Sequence, residues 1–463
     1  MDEQLLQRIW RAQHFSRADL RTLGGASIAI VYRGRAQRSA GPDFRGAAIV
    51  FDGQLRHGDV ELHLRATDWD THHHGRDHHY DDVLLHVVYD AAGARPVRTA
   101  SGCQVDCLSI GERLGPEADW LEMARPGEDD CRRLVASLTP ETLGQRIDRL
   151  GDERLIDKAG RLEAEIVATE AEQVYYESLL DALGYSQNRE PFGELGRRLS
   201  VASLDALTRR RPPAERILLC QSLLLGVAGL LPSQRHQPES ANWVEAALIA
   251  DYEETWLAYG GDWLPEVMSA EDWCLGVRPL NSPVRRIVGL GYLLARQLSM
   301  GLLESAGGIV RRDPGRTAVR GLVESLQVAT PDAYWAEHWD FGRPLAQPAP
   351  LLIGRQRSLE IVVNVCLPML LAVGSGQKER ADTYFSLSIM GATEASLPAA
   401  IWTTFRAAPR LAPNEVTNWM ITEVLGAETA GLIRGARRQQ GLHQQFAKAC
   451  DTRDCQHCRL VRE

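Results

Sequence analysis

The chain has 463 residues, 44% of them hydrophobic and 24% charged, enough apolar material for two or three globular domains, which excludes a disordered or fibrous protein. Its formal net charge of −9 argues against non-specific adhesion to nucleic acid, because phosphate contacts need a local excess of Lys and Arg. The nine cysteines are irregularly placed, which argues against a disulfide framework and for a reducing compartment.

The first ten residues, Met1 to Trp10, are acidic and amphipathic; they read as a helix rather than a secretory signal. Ser27–Tyr32, Ala47–Phe51, Val60–Leu64 and Val83–Tyr89 follow as short runs of β-branched and aromatic residues between turn signals. Residues 1–110 are therefore predicted to be an α/β domain with a mixed sheet. Eight of the thirteen histidines fall between His57 and His86, so the unusual chemistry lies in the same region.

Beyond about residue 130 apolar residues recur at helical spacing, over Glu153–Leu183, Glu215–Leu230, Val284–Leu303 and Val416–Gln445. Pro- and Gly-rich breaks at Arg211-Pro212-Pro213, Leu231-Pro232, Arg278-Pro279 and 342–350 suggest a helical domain at 111–345 and a second one at 346–463. The longest apolar run, Ile361–Val373, is shorter than a membrane span and is interrupted by Asn364 and Pro368. A soluble, cytoplasmic protein with no membrane partner is the expectation.

The sharpest signal is Gly41-Pro42-Asp43-Phe44, followed across a hairpin by Gly58-Asp59-Val60-Glu61-Leu62-His63. Asp52-Gly53 supplies the tight turn, since both residues tolerate positive φ. A strict two-residue hairpin puts Phe44 opposite Glu61 and turns Asp43 to the wrong face. The polar–apolar alternation slips by one residue between Leu55 and Val60, however, and a bulge near His57-Gly58 would pair Asp43 with His63. Asp43, Asp59, Glu61 and His63 would then share a face. Two carboxylates there can hold Mg or Mn, and a basic residue two places after the second carboxylate can orient or deprotonate a water. In the nuclease pattern that residue is usually Lys; His63 stands in its place, which makes Mn or a heavier ion more plausible than Mg alone.

Asp68 to Tyr80 carries His72, His73, His74, His78 and His79. Lying just after the hairpin, it could bring His72, His74 and Tyr80 to a metal or a scissile phosphate, whereas His86, on an apolar strand, reads as a core histidine. A three-histidine zinc hydrolase acting on small molecules is an alternative use of this loop, although its spacing matches no common motif. At the other end of the chain, Cys450-x4-Cys455-x2-Cys458 has the spacing of a structural Zn site or an iron–sulfur cluster, with His443, His457, Cys131 or Cys366 as fourth ligand. This tail is also basic, with seven Lys or Arg against three acidic residues from Gly431 to Glu463.

Together with Asp68-Trp69, Leu85-His86-Val87-Val88, Arg278-Pro279-Leu280-Asn281-Ser282-Pro283, Arg285-Arg286 and Asn364 with Leu367-Pro368, these motifs resemble the signature of a bacterial domain-of-unknown-function family, DUF2851-like, over essentially the whole chain. That resemblance implies no assigned activity. Residues 1–110 also resemble the restriction-endonuclease-like PD-(D/E)xK superfamily, which implies that a first-helix glutamate helps hold the metal. Glu3 is the position that matches.

The leading expectation is a divalent-metal-dependent nuclease or phosphodiesterase acting on nucleic acid, with Asp43 and Glu61 as ligands and His63 as base or orienter. The alternative is a non-enzymatic nucleic-acid-binding or scaffold protein built on an inactive nuclease-like domain, with the basic tail as its contact. Arg278–Arg286, at a helix start, and Tyr334, Trp335 and Trp339 are further conceivable contacts for phosphates and bases.

Overall fold

The strand-forming runs of the first 110 residues assemble into one mixed sheet, and the helical periodicity beyond residue 137 forms a separate body. The computed structural model describes residues 2–36, 41–115, 128–185, 187–235, 243–374, 396–450 and 458–461. It divides into two units, Met1–Ser137 with Ala447–Glu463, and Leu138–Phe446.

The first unit opens with α1 (Glu3–Ala12), capped by the Asp2 carboxylate, which accepts from the Leu5 N–H at 2.7 Å. Its strands are β1 (Ile28–Tyr32), β2 (Arg35–Ala36), β3 (Phe44–Phe51), β4 (Gln54–Arg65), β5 (Val83–Asp90), β6 (Val97–Arg98) and β7 (Gln104–Ser109). Six run in the order β1-β3-β4-β5-β7-β6, and the short β2 pairs with β3. β1, β3 and β4 form an antiparallel meander, whereas β4, β5 and β7 are parallel. Leu6, Ile9 and Trp10 of α1 pack with Phe44, Ile49, Val60, Leu62, Leu85 and Val87 in one core, so the even-numbered residues at the end of β4 face the helix side. Alternation then assigns Asp59, Glu61 and His63 to the opposite side.

The hairpin turn forms where Asp-Gly predicts it: Asp52 and Gly53 have φ of 47° and 87°. The register departs from expectation. Five pairs, from Phe51↔Gln54 to Ala47↔Gly58, keep the strict hairpin phase, and the next is Phe44↔Val60. The extra residue therefore lies on β3, at Arg45-Gly46, and not at His57-Gly58. The shift runs in the opposite sense and brings Asp43 level with Glu61 rather than His63. Gly46 carries the bulge at φ 67°, and its N–H donates to the Asp59 carboxylate at 2.9 Å. Gly58 instead permits a close backbone approach, since a Cβ there would lie 2.6 Å from the Asp82 carbonyl oxygen. Asp59 thus pins the bulge on the face where a metal role was expected.

In the second unit the hydrophobic core runs from Leu155 to Ala436, across position 345. The expected Glu153–Leu183 helix is two, Pro140–Ala168 and Ala171–Leu183. Val416–Gln445 breaks at Gly426, whose φ is 87°, and resumes as Ala436–Gln445. Arg285 and Arg286 are buried and structural: Arg285 donates to the carbonyls of Trp335, His338 and Ala349, and Arg286 to that of Leu352. Tyr334 and Trp335 are likewise core side chains, not open stacking platforms. Arg355–Gly374 is a continuous helix long and apolar enough to cross a membrane by length and composition, and 72% of its apolar window is buried within the protein.

Gly46→Ala puts a Cβ at a left-handed position and is expected to destabilise the first unit by about 1–2 kcal/mol, measured as a lowered urea midpoint. An unchanged midpoint would show that the bulge relaxes without strain.

Candidate metal-binding site

Four side chains converge on the face of β4 opposite α1. Glu61 and His63 come from β4 itself. His72 and His74 come from the β4–β5 connection, which holds a single helical turn, α2 (Asp68–Thr71), and 3-10 turns at His74–Arg76 and His78–Tyr80. Trp69 anchors this connection at 1% exposure, and His73, in the left-handed region at φ 62°, reverses the chain between the two converging histidines. His74 is buried and stacks on Tyr80, with ring centroids 3.8 Å apart.

His63 is the hub. Its Nε2 lies 3.0 Å from His72 Nδ1, 3.2 Å from His74 Nε2 and 3.6 Å from Glu61 Oε1, and the same carboxylate oxygen is 3.3 Å from His74 Nε2. One ligand atom from each of His63, His72 and His74 falls within 4.8 Å of the others. On the far side of the ring, His63 Nδ1 lies 2.9 Å from His86 Nε2. With its proton on Nδ1, donated to His86, His63 presents a bare Nε2 lone pair to the cluster. A histidine whose outer nitrogen is hydrogen-bonded in this way is the usual form of an imidazole ligand.

Asp43 joins through the bulge. Its N–H donates to Glu61 Oε2 at 2.9 Å, and its carboxylate accepts from the Leu62 N–H at 3.1 Å and from Gln7 Nε2, on α1, at 2.7 Å. Burial, then the charge of Glu61, pushes Asp43 up to about 7. Burial pushes Glu61 up to about 7 as well, and the charge of Glu3, on the first turn of α1, raises both carboxylates. Burial first, then the neighbouring imidazoles of His86, His74 and His72, drives His63 down to about 2. Burial lowers His74, against the pull of Asp43 and Asp77, and brings His86 to about 4. Burial with the charges of Glu61 and Asp43 raises Tyr80 to about 12.

Neutral His63 and His74 beside carboxylates that resist joint ionisation are the state that a divalent cation relieves, since it supplies positive charge and accepts the lone pairs. The donor set, three imidazole nitrogens with a carboxylate oxygen, fits Mn or Zn better than Mg, which prefers an all-oxygen shell.

The expected residues thus divide. Asp43, Glu61, His63, His72 and His74 are gathered, with Tyr80 against His74 and Glu3 acting through its charge. His78 and His79 are exposed and bonded to Asp81 and Asp77 at 2.7 Å each. His86 and Gln7 have roles that spacing did not reveal, because a hydrogen bond between parallel neighbours or from a helix to a turn leaves no local motif. Of the terminal cysteines, Cys450 is half-buried and Cys458 buried, while Cys455 and His457 lie outside the described residues. Cys366 is in the core, with the Tyr175 hydroxyl 2.9 Å from its sulfur.

The class these features define is a two-unit protein, with a histidine–carboxylate cluster on a mixed sheet and a larger helical body. A model of the family described as "Protein of unknown function (DUF2851)" matches residues 3–395, and the chain belongs to that family. No curated protein and no solved structure shows significant similarity to it.

His74→Ala is expected to weaken binding of Zn or Mn by about 10–100-fold in a titration of the metal-depleted protein; unchanged affinity would remove His74 from the ligand set. A second outcome follows from pH. Unfolded Glu61 ionises near 4.5, while the folded form keeps its proton to about 7, so the metal-free protein loses stability as pH rises through that window. Glu61→Gln should therefore stabilise metal-free protein at pH 8 by something on the order of 2 kcal/mol and change little at pH 4, as read from denaturant midpoints.

Proposed function

We propose that the protein is a divalent-metal-dependent phosphodiesterase acting on nucleic acid, with a first unit related to the restriction-endonuclease-like nucleases. The observation that supports this most is the pairing of Asp43 with Glu61 across β3 and β4, His63 two residues further on and the charge of Glu3 within reach. An acidic residue at the start of one strand, an acidic-x-basic triplet on the next and a first-helix glutamate are the elements of that nuclease pattern.

His63 takes a different part from the lysine it replaces. A base is most effective with a pKa near the working pH, and a group driven down to about 2 is poorly matched to that role. As a neutral donor it is well matched to holding a cation. Glu61, His63, His72 and His74 are the residues that would hold one, and the ion would supply Lewis-acid charge to a phosphoryl oxygen. His86 fixes the tautomer of His63. Asp43, with a pKa near 7 and both oxygens positioned by hydrogen bonds, is the carboxylate suited to take a proton from the attacking water. Zn or an iron–sulfur cluster at Cys450, Cys455 and Cys458 is a separate, structural proposal.

Full-length protein supplied with Mn, Mg or Zn is expected to hydrolyse single- or double-stranded DNA or RNA, or a diester such as bis(p-nitrophenyl) phosphate. Glu61→Ala should reduce the rate by at least about 100-fold. Hydrolysis that survives Glu61→Ala undiminished would sink this assignment, and salt-sensitive nucleic-acid binding without hydrolysis would favour a non-enzymatic binding protein.

A further inference from the structure

The second unit contains a cavity of about 1020 Å³, lined entirely by its own residues. One wall is the helix Pro140–Ala168, whose Arg154, Lys158 and Arg161 recur at the four- and three-residue spacing that stacks side chains on one helical face. None of these three cations has an ion pair among the described residues. Lys158, half-buried, donates to two neutral amide oxygens, Asn364 Oδ1 at 2.5 Å and Gln440 Oε1 at 3.2 Å. Arg154 Nε donates to the same Gln440 oxygen at 3.0 Å, which leaves the Gln440 NH₂ as a further donor.

Of the nearby carboxylates, Asp157 acts on Arg154 and Glu177 lines the cavity, while two others are paired elsewhere. Glu360 is paired with Arg357 at 2.9 Å, and Arg357 in turn covers the Tyr185 ring at 3.3 Å. Asp181 is paired with Arg189 at 2.7 Å. Glu165, one turn beyond Arg161, is exposed. Six Lys or Arg line the cavity against four Asp or Glu, so the lining carries a net positive charge. Burial holds the Lys158 ammonium well below the ordinary lysine range, and the charges of Arg154, Arg161 and Arg189 push it the same way. Burial with the charges of Arg154 and Lys158 lowers the neighbouring His443 to about 4.

The backbone is specialised at the same place. The helix Arg355–Gly374 widens into a π-turn over Val362–Cys366, which contains Asn364. Asn364 Nδ2 donates to the Glu360 carbonyl at 2.9 Å, and this holds its oxygen towards Lys158. Such π-turns inside α-helices are frequent at ligand sites. A cluster of cations gathered around neutral amides and an open volume is unfavourable alone and favourable around a multiply charged anion, whose oxygens can accept from guanidinium forks and an ammonium together.

We propose that this cavity binds a phosphate compound carrying at least two negative charges, either a phosphate monoester or an oligophosphate of nucleotide size or smaller, through Arg154, Lys158 and Arg161. The volume is of the order that nucleotide-sized ligands occupy. Its lining residues all belong to the second unit and include none of the Glu61–His63 cluster.

The test is calorimetric titration of full-length, metal-depleted protein with inorganic phosphate, pyrophosphate, ATP and, for comparison, citrate. At least one of the three phosphate compounds is expected to bind, more tightly than citrate, and which one does so separates a monoester site from an oligophosphate site. Lys158→Met and Arg161→Gln should each weaken that binding by about tenfold or more, whereas Glu61→Ala should leave it unchanged. Arg161 is exposed, so Arg161→Gln decides the matter if Lys158→Met fails to fold. No binding by any of the three phosphate compounds, citrate binding equally well, or full affinity retained in Arg161→Gln would overturn the proposal.

Discussion

The site of the first unit depends on one extra residue in β3. Without the Arg45-Gly46 bulge, the hairpin phase set at Asp52-Gly53 would carry through to Phe44, and Asp43 and Glu61 would point to opposite faces of the sheet. With it, Phe44 meets Val60 in the core and the two carboxylates lie side by side. Asp59 stabilises the bulge by accepting from the Gly46 N–H, so the third acidic residue of this face is structural while the other two face the histidines.

That arrangement accounts for the electrostatics. Asp43, Glu61, His63 and His74 share a small, mostly buried volume, and burial opposes the ionisation of each. Both carboxylates are raised, and His63 and His74 are lowered. Replacing the usual lysine by His63 exchanges a fixed positive charge for a lone pair. The consequence is a donor set richer in nitrogen, which draws it towards transition metals.

Much of the first unit was legible in the sequence because its strands are rich in β-branched residues and its turn is Asp-Gly. A slip in register was expected from the break in alternation along β4, but the observed one lies on β3 and runs in the opposite sense, so that break did not report it. A relative shift of one residue can arise on either partner, and both Gly46 and Gly58 were available to host it. The positive φ of Gly46 and the close approach of the Asp82 carbonyl to Gly58 separate the two. β6 and β7 escaped notice because β6 has only two residues and β7 carries polar Gln104, Asp106 and Ser109, although the Ser101-Gly102 turn between them is a signal. His86 looked like a core histidine and is one by burial; its contact with His63 comes from the parallel pairing of β4 and β5, which no local pattern encodes. In the helical unit Asn364 was visible as an interruption of an apolar run, while the cations facing it lie some 200 residues away in the chain.

His72 and His74 belong to the segment that carries the chain from β4 over to its parallel neighbour β5. Such a crossover is topologically obligatory, because parallel strands cannot be joined by a tight turn. The histidines therefore ride on a connection that deletion cannot remove without dismantling the sheet, and the fold protects the cluster from the trimming to which ordinary surface loops are open.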